Sequence, residues 1–244
     1  MAQTQAGDGD FDRPRLSKEA VVDQALAIAD ADGLEALTIR RLAGELGVTP
    51  MAFYWHFRNK EALLAGLADR LWGEIDAGVD PAAGWPVQLR SLMESLVRML
   101  RTHRCASQVL ASSEKLNNDA ALRVTETTLE VLHRAGFDPS QASEIARSGL
   151  WTGLMLVMST PGYDTSATED ELAELQRRGQ VRLALLPPGR YPRLVEAAGP
   201  MSRCGGDYQE FHDRFGIDLY MAGVQAEADQ IRADPDAAAG DGPR

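Results

Sequence analysis

The stretch TIRRLAGELGVTPMAFYWHFRNKEALL at residues 38–64 decides the fold that we expect for this chain. It predicts two short helices joined by a tight turn and followed by a third helix. The hydroxyl of Thr38 is suited to cap the first helix, and Gly47 ends that helix because glycine adopts the left-handed conformation without a Cβ clash. Thr49 and the proline after it are a strong start signal for the second helix, and Asn59 caps the third.

The spacing of small and apolar residues in this stretch is typical of a helix-turn-helix. Ala43 is small where two helices cross, Gly47 lies four residues later at the turn, and Phe53 follows as an apolar anchor. The second helix of such a unit lies in the major groove of DNA. An ordinary helical hairpin is the alternative that spacing alone leaves open. The polar aromatic cluster at 54–56 and the nearby arginines and lysine favour DNA, because such side chains contact phosphates and base edges.

Residues 16–67 resemble the N-terminal DNA-binding domain of the TetR family of bacterial transcriptional repressors, above all in the block FYWHFRNKEALL at 53–64. The rest of the chain resembles the C-terminal domain of close relatives of the tetracycline repressor. That resemblance rests on LEVLHRAGF at 129–137, LPPGRYPRL at 186–194 and FHDRFGIDLYMAGV at 211–224. It implies an all-α protein with an N-terminal three-helix helix-turn-helix DNA-binding domain and a larger C-terminal helical bundle.

The resemblance also assigns ten DNA contacts. Thr38, Tyr54, His56 and Lys60 match positions that hold phosphates, and Arg40 matches a base-reading arginine. The start of the recognition helix, where family members differ, is formed by Thr49, Pro50, Met51 and Ala52. Because this segment has few long polar side chains, direct readout is expected to depend on Arg40, Thr49 and apolar contacts with thymine methyl groups. Trp55 either packs against backbone sugars or belongs to the core.

The distribution of charge supports this placement of the DNA contacts. The chain of 244 residues carries a net charge of −11, which by itself argues against nucleic acid. Residues 1–12 have a charge of −3 and residues 61–244 a charge of −9, whereas residues 13–60 have a charge of +1. The predicted DNA-binding segment is therefore the only part that is not acidic, and its nonspecific affinity should be modest.

Composition and length predict a globular protein of the cytoplasm. Hydrophobic residues make up 44% of the chain, an ordinary fraction that can form a core. No run of 18 apolar residues indicates a transmembrane helix, so no membrane partner is expected, and the acidic N-terminus lacks the apolar stretch of a signal peptide. Cys105 and Cys204 have neither metal-ligand nor disulfide spacing, which fits a reducing compartment.

The pattern along the chain predicts four regions. They are a disordered N-terminal arm at 1–14, the helix-turn-helix domain at 15–62, a ligand-binding and dimerisation domain at 63–232 and a disordered tail at 233–244. Within the third region, residues 162–190 are interpreted as a mobile connection with one short helix near Glu169–Arg178.

Two apolar features of the C-terminal region suggest a ligand pocket and a homodimer. A pocket between helices is predicted from bulky and adaptable side chains, although most buried apolar residues only pack. The pocket residues are Trp72, Leu92, Met93, Leu96, Leu110, Trp151, Met155 and Met158. A subunit interface on helices 140–160 and 207–231 is predicted at Gly149, Gly153, Phe211, Phe215, Leu219 and Ala222, with simple core burial as the alternative for the first helix.

Catalysis and metal binding are not supported by the sequence. None of the four histidines lies in a nucleophile or metal motif, so we expect no enzyme, no metal and no cofactor. Tetracycline repressors hold a drug–Mg²⁺ complex through histidines and polar side chains. Here the segments at 72–76 and 107–110 lack the histidines, and Leu92 and Leu96 stand where the resemblance implies hydrogen-bonding or aromatic groups. We therefore expect a small apolar or aromatic effector that binds without a metal.

These observations predict a homodimeric, ligand-responsive transcriptional repressor that binds double-stranded operator DNA with a palindromic sequence and is released by its effector. A transcriptional activator or an inducer-independent regulator is an alternative within DNA binding. A helical small-molecule binding protein with a weakened DNA domain is an alternative of another class. Failure to shift DNA from its own upstream region in a gel would favour that last reading.

Overall fold

The computed structural model describes residues 16–75, 80–112, 118–159, 169–201 and 206–233. Within these ranges the chain is helical and contains no β-strand, which confirms the predicted fold class. The predicted arm at 1–14 and the tail beyond Ala233 lie outside the described residues.

The described helices follow one another with short connections. They are α1 (Lys18–Asp32), α2 (Ile39–Glu45), α3 (Pro50–Tyr54), α4 (Lys60–Gly73), α5 (Trp85–Thr102), α6 (Ala106–Ser112), α7 (Asp119–Ala135), α8 (Pro139–Met158), α9 (Glu169–Ala184), α10 (Pro192–Met201) and α11 (Gly206–Ala233), with a 3₁₀ turn at Leu34–Ala36.

Side-chain caps set the start of the helices that form the N-terminal unit. The hydroxyl oxygens of Ser17, Thr38 and Thr49 and the amide oxygen of Asn59 each accept a hydrogen bond from a backbone N–H of the first turn. These bonds satisfy donors that have no partner within the helix. The caps at Thr38, Thr49 and Asn59 are those that the sequence predicts.

Helix α4 connects the two parts of the molecule. Its buried residues Leu63, Leu67 and Leu71 belong to one continuous hydrophobic core that extends from α1 to α11. The predicted boundary between residues 62 and 63 falls inside α4 and stays a prediction. We call residues 16–62 the head and the rest of the described chain the body.

Helices α5, α8 and α11 pack against one another and form the centre of the body. Arg101 of α5 holds Asp213 of α11 through two hydrogen bonds of 3.0 and 2.7 Å, and both side chains are largely buried. A second pair, Arg90–Asp218, joins the same helices at 2.6 Å. These pairs fix how α11 is rotated and therefore which of its residues face outward.

The two glycines of α8 face the body and not its surface. A Cβ atom on Gly149 would lie 2.8 Å from Tyr220 Oη, and one on Gly153 would lie 2.8 Å from Leu96 Cδ2. Both glycines are buried and allow α5 and α11 of the same chain to approach closely. Their assignment to the subunit interface was therefore wrong, because the close helix contact that they permit is made within one chain.

The region after α8 contains more helix than the sequence suggests. The short helix expected near Glu169–Arg178 continues to Ala184, and α10 follows at Pro192–Met201. Helix α10 begins just after the segment interpreted as a mobile connection, and Pro192 is its first residue, a position where proline is tolerated. Helices α9 and α10 contact each other.

Candidate DNA-binding surface and ligand cavity

The turn between α2 and α3 has the geometry that the sequence predicts. Gly47 has a φ of 67°, in the left-handed region that favours glycine, and Val48 N donates to Ala43 O at 2.9 Å. Phe53 and Phe57 are buried and stacked with ring centroids 5.7 Å apart. The two rings anchor α3 and the start of α4 to the core of the head.

The opposite side of α3 carries exposed aromatic and apolar groups. Trp55 is 86% exposed, which excludes the core interpretation of this residue, and Met51 and Tyr54 are exposed as well. Of the ten predicted DNA contacts, only Ala52 and His56 are half-buried; the exposed ones are Thr38, Arg40, Thr49, Pro50, Met51, Tyr54, Trp55 and Lys60. A duplex could therefore reach all eight without a rearrangement of the head.

The hydroxyl groups of Thr38 and Thr49 have two functions available. Each oxygen accepts a cap hydrogen bond, from Arg41 N at 3.2 Å and from Ala52 N at 3.3 Å. A hydroxyl also has one hydrogen to donate, which remains suited to a phosphate oxygen. The same atoms can thus begin a helix and hold DNA.

A cavity of about 280 Å³ lies between α4, α5, α7, α8 and α11. Four predicted pocket residues, Trp72, Leu92, Met93 and Leu96, line it. Its other lining residues are Ile75, Leu89, Val124, Thr125, Thr128, Leu129, Ser143, Ala146, Arg147, Gly149, Leu150 and Tyr220. The wall is mostly apolar, and the volume is near the lower end of the range found for small-molecule sites.

The other four predicted pocket residues do not line this cavity. Trp151, Met155 and Met158 are about half exposed on the outer side of α8, because Gly149 and Gly153 turn the opposite side of that helix toward α5. Leu110 is buried on α6 but is not among the cavity-lining residues. Their assignment to the pocket is corrected accordingly.

The sequence missed the polar groups of the cavity. The hydroxyl of Tyr220 donates to Ile145 O at 2.9 Å, and burial raises the pKa of Tyr220, so the group stays protonated. Thr128 Oγ1 donates to Val124 O at 2.8 Å. Arg147 pairs with Glu144 and is largely exposed. The i, i+4 spacing of Val124 and Thr128 on α7 is the signal that could have indicated this wall.

One polar group of the cavity wall has no partner. Trp72 is 5% exposed, and its indole N–H has no hydrogen-bond acceptor within the described residues. Such a buried donor is costly unless an acceptor is supplied. A ligand that carries an acceptor is one way to supply it.

A larger open groove of about 560 Å³ lies between α1, α4 and the start of α7. Six of its eleven lining residues are charged, among them Glu19, Asp23, Asp69 and Arg70. Asp69 already accepts a hydrogen bond from Ala120 N at 3.0 Å. We regard the smaller apolar cavity as the better ligand site, because apolar walls with few polar groups are typical of such sites.

An exposed apolar face lies on α8 and α11. It consists of Trp151, Met155, Met158, Phe211, Phe215 and Leu219, and the rings of Phe211 and Phe215 are stacked at 5.7 Å. Helices α8 and α11 contact each other, and large exposed apolar side chains on neighbouring helices are typical of interaction sites. Ala222 is exposed on the same helix as the three α11 members.

Together, a helix-turn-helix head and a helical body with an apolar cavity define a class of protein, the DNA-binding regulators that carry a ligand domain. Residues 21–67 match the family described as "Bacterial regulatory proteins, tetR family", and residues 77–228 match "Tetracyclin repressor-like, C-terminal domain". The chain belongs to the TetR family of transcriptional regulators.

Individual relatives agree with this assignment. An HTH-type transcriptional regulator of Saccharopolyspora erythraea is 30% identical over 219 residues, covering 88% of this chain and 87% of the relative. The HTH-type transcriptional repressor DrrR1 of Streptomyces coeruleorubidus is 28% identical, covering 91% of this chain and 82% of the relative. These relatives are transcriptional regulators and not enzymes.

A solved structure of similar fold contains a bound ligand. The Streptomyces coelicolor TetR family protein ActR, in complex with actinorhodin, has a TM-score of 0.71 and 26% sequence identity, covering 88% of this chain and 97% of that chain. In the present chain, no described helix is both long and apolar enough to cross a membrane.

Proposed function

We propose that this chain is a cytoplasmic transcriptional repressor that binds a palindromic operator as a homodimer and is released by a small apolar or aromatic effector. The observation that carries the proposal is the course of α4. This helix begins at Lys60, a predicted phosphate contact, and its last turn contributes Trp72 to the wall of the cavity. One rigid element thus joins the DNA-binding surface to the ligand site.

The exposed apolar face supports the homodimer. In a two-fold symmetric dimer the same surface of each subunit contacts its copy, so α8 and α11 of both subunits would form a four-helix interface. Phe211, Phe215, Leu219 and Ala222 stay predicted interface residues, and Trp151, Met155 and Met158 join them. Two heads are also needed, because one helix-turn-helix buries too little surface for tight specific binding.

The composition of the cavity wall supports an effector without a metal. Among the described residues, no group of three or more His, Cys, Asp or Glu side chains is arranged so that it could hold a metal ion. A charged chelate would meet Leu92, Leu96 and Leu150, and burying unpaired charge costs several kcal/mol. The complex of ActR with actinorhodin supports binding of an organic ligand by a protein of this fold.

Selection and sequencing of bound fragments from the native genome would test the proposal. We expect a palindromic sequence upstream of a gene, shifted in a gel by the purified dimer and released by a hydrophobic aromatic compound. Strong binding without release by any compound would favour an inducer-independent regulator. Compound binding without any selected DNA would favour a small-molecule binding protein with a weakened DNA domain, and either outcome would contradict the proposed function.

A further inference from the structure

A histidine between two carboxylates joins the head to the body. His103 lies in the connection between α5 and α6, where its Nδ1 is 2.6 Å from Asp30 Oδ2 of α1. Its Nε2 is 2.9 Å from Glu74 Oε2 at the end of α4. The three side chains are 12%, 23% and 25% exposed. We call this group the His103 bridge.

The bridge requires a protonated imidazole. Ionised carboxylates only accept hydrogen bonds, so each ring nitrogen of His103 must carry a hydrogen to bond both. Neutral imidazole has a single N–H, and its second nitrogen would present a lone pair to a carboxylate oxygen. Deprotonation of His103 therefore removes one charge-assisted hydrogen bond and weakens the bridge.

The bridge lies between the cavity and the head. Glu74 stands in the chain between Trp72 and Ile75, both of which line the cavity. On the other side, Asp30 belongs to α1, which packs against α2 of the helix-turn-helix. A ligand that displaced Trp72 and Ile75 would therefore act close to Glu74, which His103 joins to Asp30 of α1.

We propose that His103 is a positioning residue that couples the cavity to the DNA-binding head when protonated and releases this coupling when neutral. The inference rests on the proposed function, because coupling matters only if an effector acts on DNA binding. Its consequence is a response to effector that weakens as the pH rises through the range in which an imidazole group ordinarily loses its proton, about pH 5 to 8.

The other ionisable groups near the His103 bridge are carboxylates, guanidinium groups and one thiol. Asp23 pairs with Arg70, which also bonds Glu74 at 2.6 Å, and Arg104 is exposed. Carboxylic acids ordinarily titrate below about pH 5 and arginine above about pH 12. Burial, and then a hydrogen bond with Asp30, raises the pKa of the Cys105 thiol, which stays protonated.

Hydrogen exchange of the full-length protein tests the bridge without any ligand. Backbone amides of α1 are followed at pH 6.0 and 8.5 in the wild type and in His103→Gln, whose amide donates from one end only and so resembles neutral imidazole. At pH 6.0 we expect α1 to exchange about three- to tenfold faster in the variant, the effect of losing one hydrogen bond of ordinary net strength at a partly exposed site. At pH 8.5 the two proteins should exchange alike.

The control is His133→Gln, which changes an exposed histidine of α7 and should match the wild type at both pH values. If His103→Gln fails to fold, Glu74→Ala removes the carboxylate that accepts from His103 Nε2 and so breaks the same bridge from α4. Equal exchange of wild type and variant at both pH values would overturn the proposal. An exchange difference between wild type and variant that has the same size at both pH values would also overturn the proposal, since it would indicate an ordinary packing role for His103.

A second measurement tests transmission from the cavity. Ile75→Ala removes apolar atoms from the cavity wall, and amides of α5 in the same sample report any global loss of stability. At pH 6.0 and with His103 present, we expect Ile75→Ala to make the amides of α1 exchange faster relative to those of α5. When His103→Gln is also present, Ile75→Ala should not change the exchange of α1 relative to α5. Equal effects in both backgrounds would contradict transmission through His103.

The genomic selection described above separates the two proposals. If the expected exchange pattern is observed but no DNA is selected, the proposal for His103 is supported and the proposed repressor function is contradicted. If an operator is selected but the pH-dependent exchange pattern of α1 is absent, the repressor function is supported and the proposal for His103 is contradicted.

Discussion

Neighbouring arginines in α2 have different surroundings. The guanidinium of Arg41 is held by Asp32 and by Glu45, the latter at 3.0 Å, so it stabilises the head. Arg40 is exposed and forms no ion pair with any described residue. Lys60 is exposed at the first position of α4, beside its cap Asn59. Arg40 and Lys60 are therefore free to contact DNA, in different ways.

The variants Arg40→Ala and Lys60→Ala should separate reading of bases from holding of phosphates. Lys60→Ala is expected to weaken binding to all DNA sequences alike. It should also lower, by about one unit, the slope of the logarithm of the binding constant against the logarithm of the salt concentration. Arg40→Ala should reduce the free energy of binding to the operator by about 1–3 kcal/mol and weaken the preference for one base at one position of the operator. Binding titrations at several salt concentrations, with Arg123→Ala on the exposed side of α7 as control, measure both effects. Equal loss of sequence preference in the two variants would contradict the assignment.

Trp72 should discriminate between ligands by its unpaired indole N–H. Trp72→Phe keeps an aromatic ring and removes the donor, so a ligand with a carbonyl oxygen should lose more affinity than its hydrocarbon counterpart. We expect calorimetry with fluorenone and fluorene to show a carbonyl preference of about three- to tenfold in the wild type and none in the variant. An unchanged preference would show that the indole does not contact the ligand.

Helix α8 is apolar on two sides, and each side has a different use. The side with Gly149 and Gly153 packs inside the body, whereas Trp151, Met155 and Met158 are exposed beside α11. The Arg101–Asp213 pair keeps α11 in the orientation that exposes Phe215 and its neighbours. The interface predicted for the dimer is therefore built from both helices.

Leu219→Glu should dissociate the dimer. The wild-type side chain is 61% exposed, so the variant should fold, but a carboxylate on each side of the two-fold interface would be buried without a partner. We expect the dimer dissociation constant to rise at least about a hundredfold, with loss of operator affinity, as measured by sedimentation. Leu122→Glu changes a leucine on α7 that is 44% exposed and should remain dimeric. A fully dimeric Leu219→Glu would place the interface elsewhere.

At the scale of the whole molecule, the distance between the two heads of a dimer must match the spacing of the two half-sites of the operator. We expect half-sites one helical turn apart, about 34–36 Å between the recognition helices. An effector that weakens DNA binding must itself bind the DNA-free dimer more tightly than the complex, because coupling is reciprocal. A chain that stays monomeric at micromolar concentration and still binds its operator tightly would contradict this arrangement.

The choice of effector is also a property of the whole molecule, since five helices contribute to the cavity. Titration with tetracycline plus Mg²⁺ should show no magnesium-dependent binding, whereas some members of a panel of hydrophobic aromatic compounds should bind. The reason is the cost of burying unpaired charge against apolar side chains. Tight tetracycline binding that requires magnesium would overturn the expectation of a metal-free effector.

The sequence by itself determined the head and the helical class. The caps Thr38, Thr49 and Asn59, the turn at Gly47 and the anchor Phe53 act within a few residues of their own positions, so their effects can be predicted locally. Half of the predicted pocket residues also line the cavity, because α5 carries its apolar residues on one broad side.

Only the tertiary structure decided which side of each body helix faces inward. Helix α8 is apolar on both sides, so periodicity alone could not distinguish the interior side with Gly149 from the exposed side with Trp151. The partners of His103 are 73 and 29 residues away in the chain, a separation that no local pattern predicts. Such contacts depend on how whole helices pack, which is set by the summed fit of all their side chains.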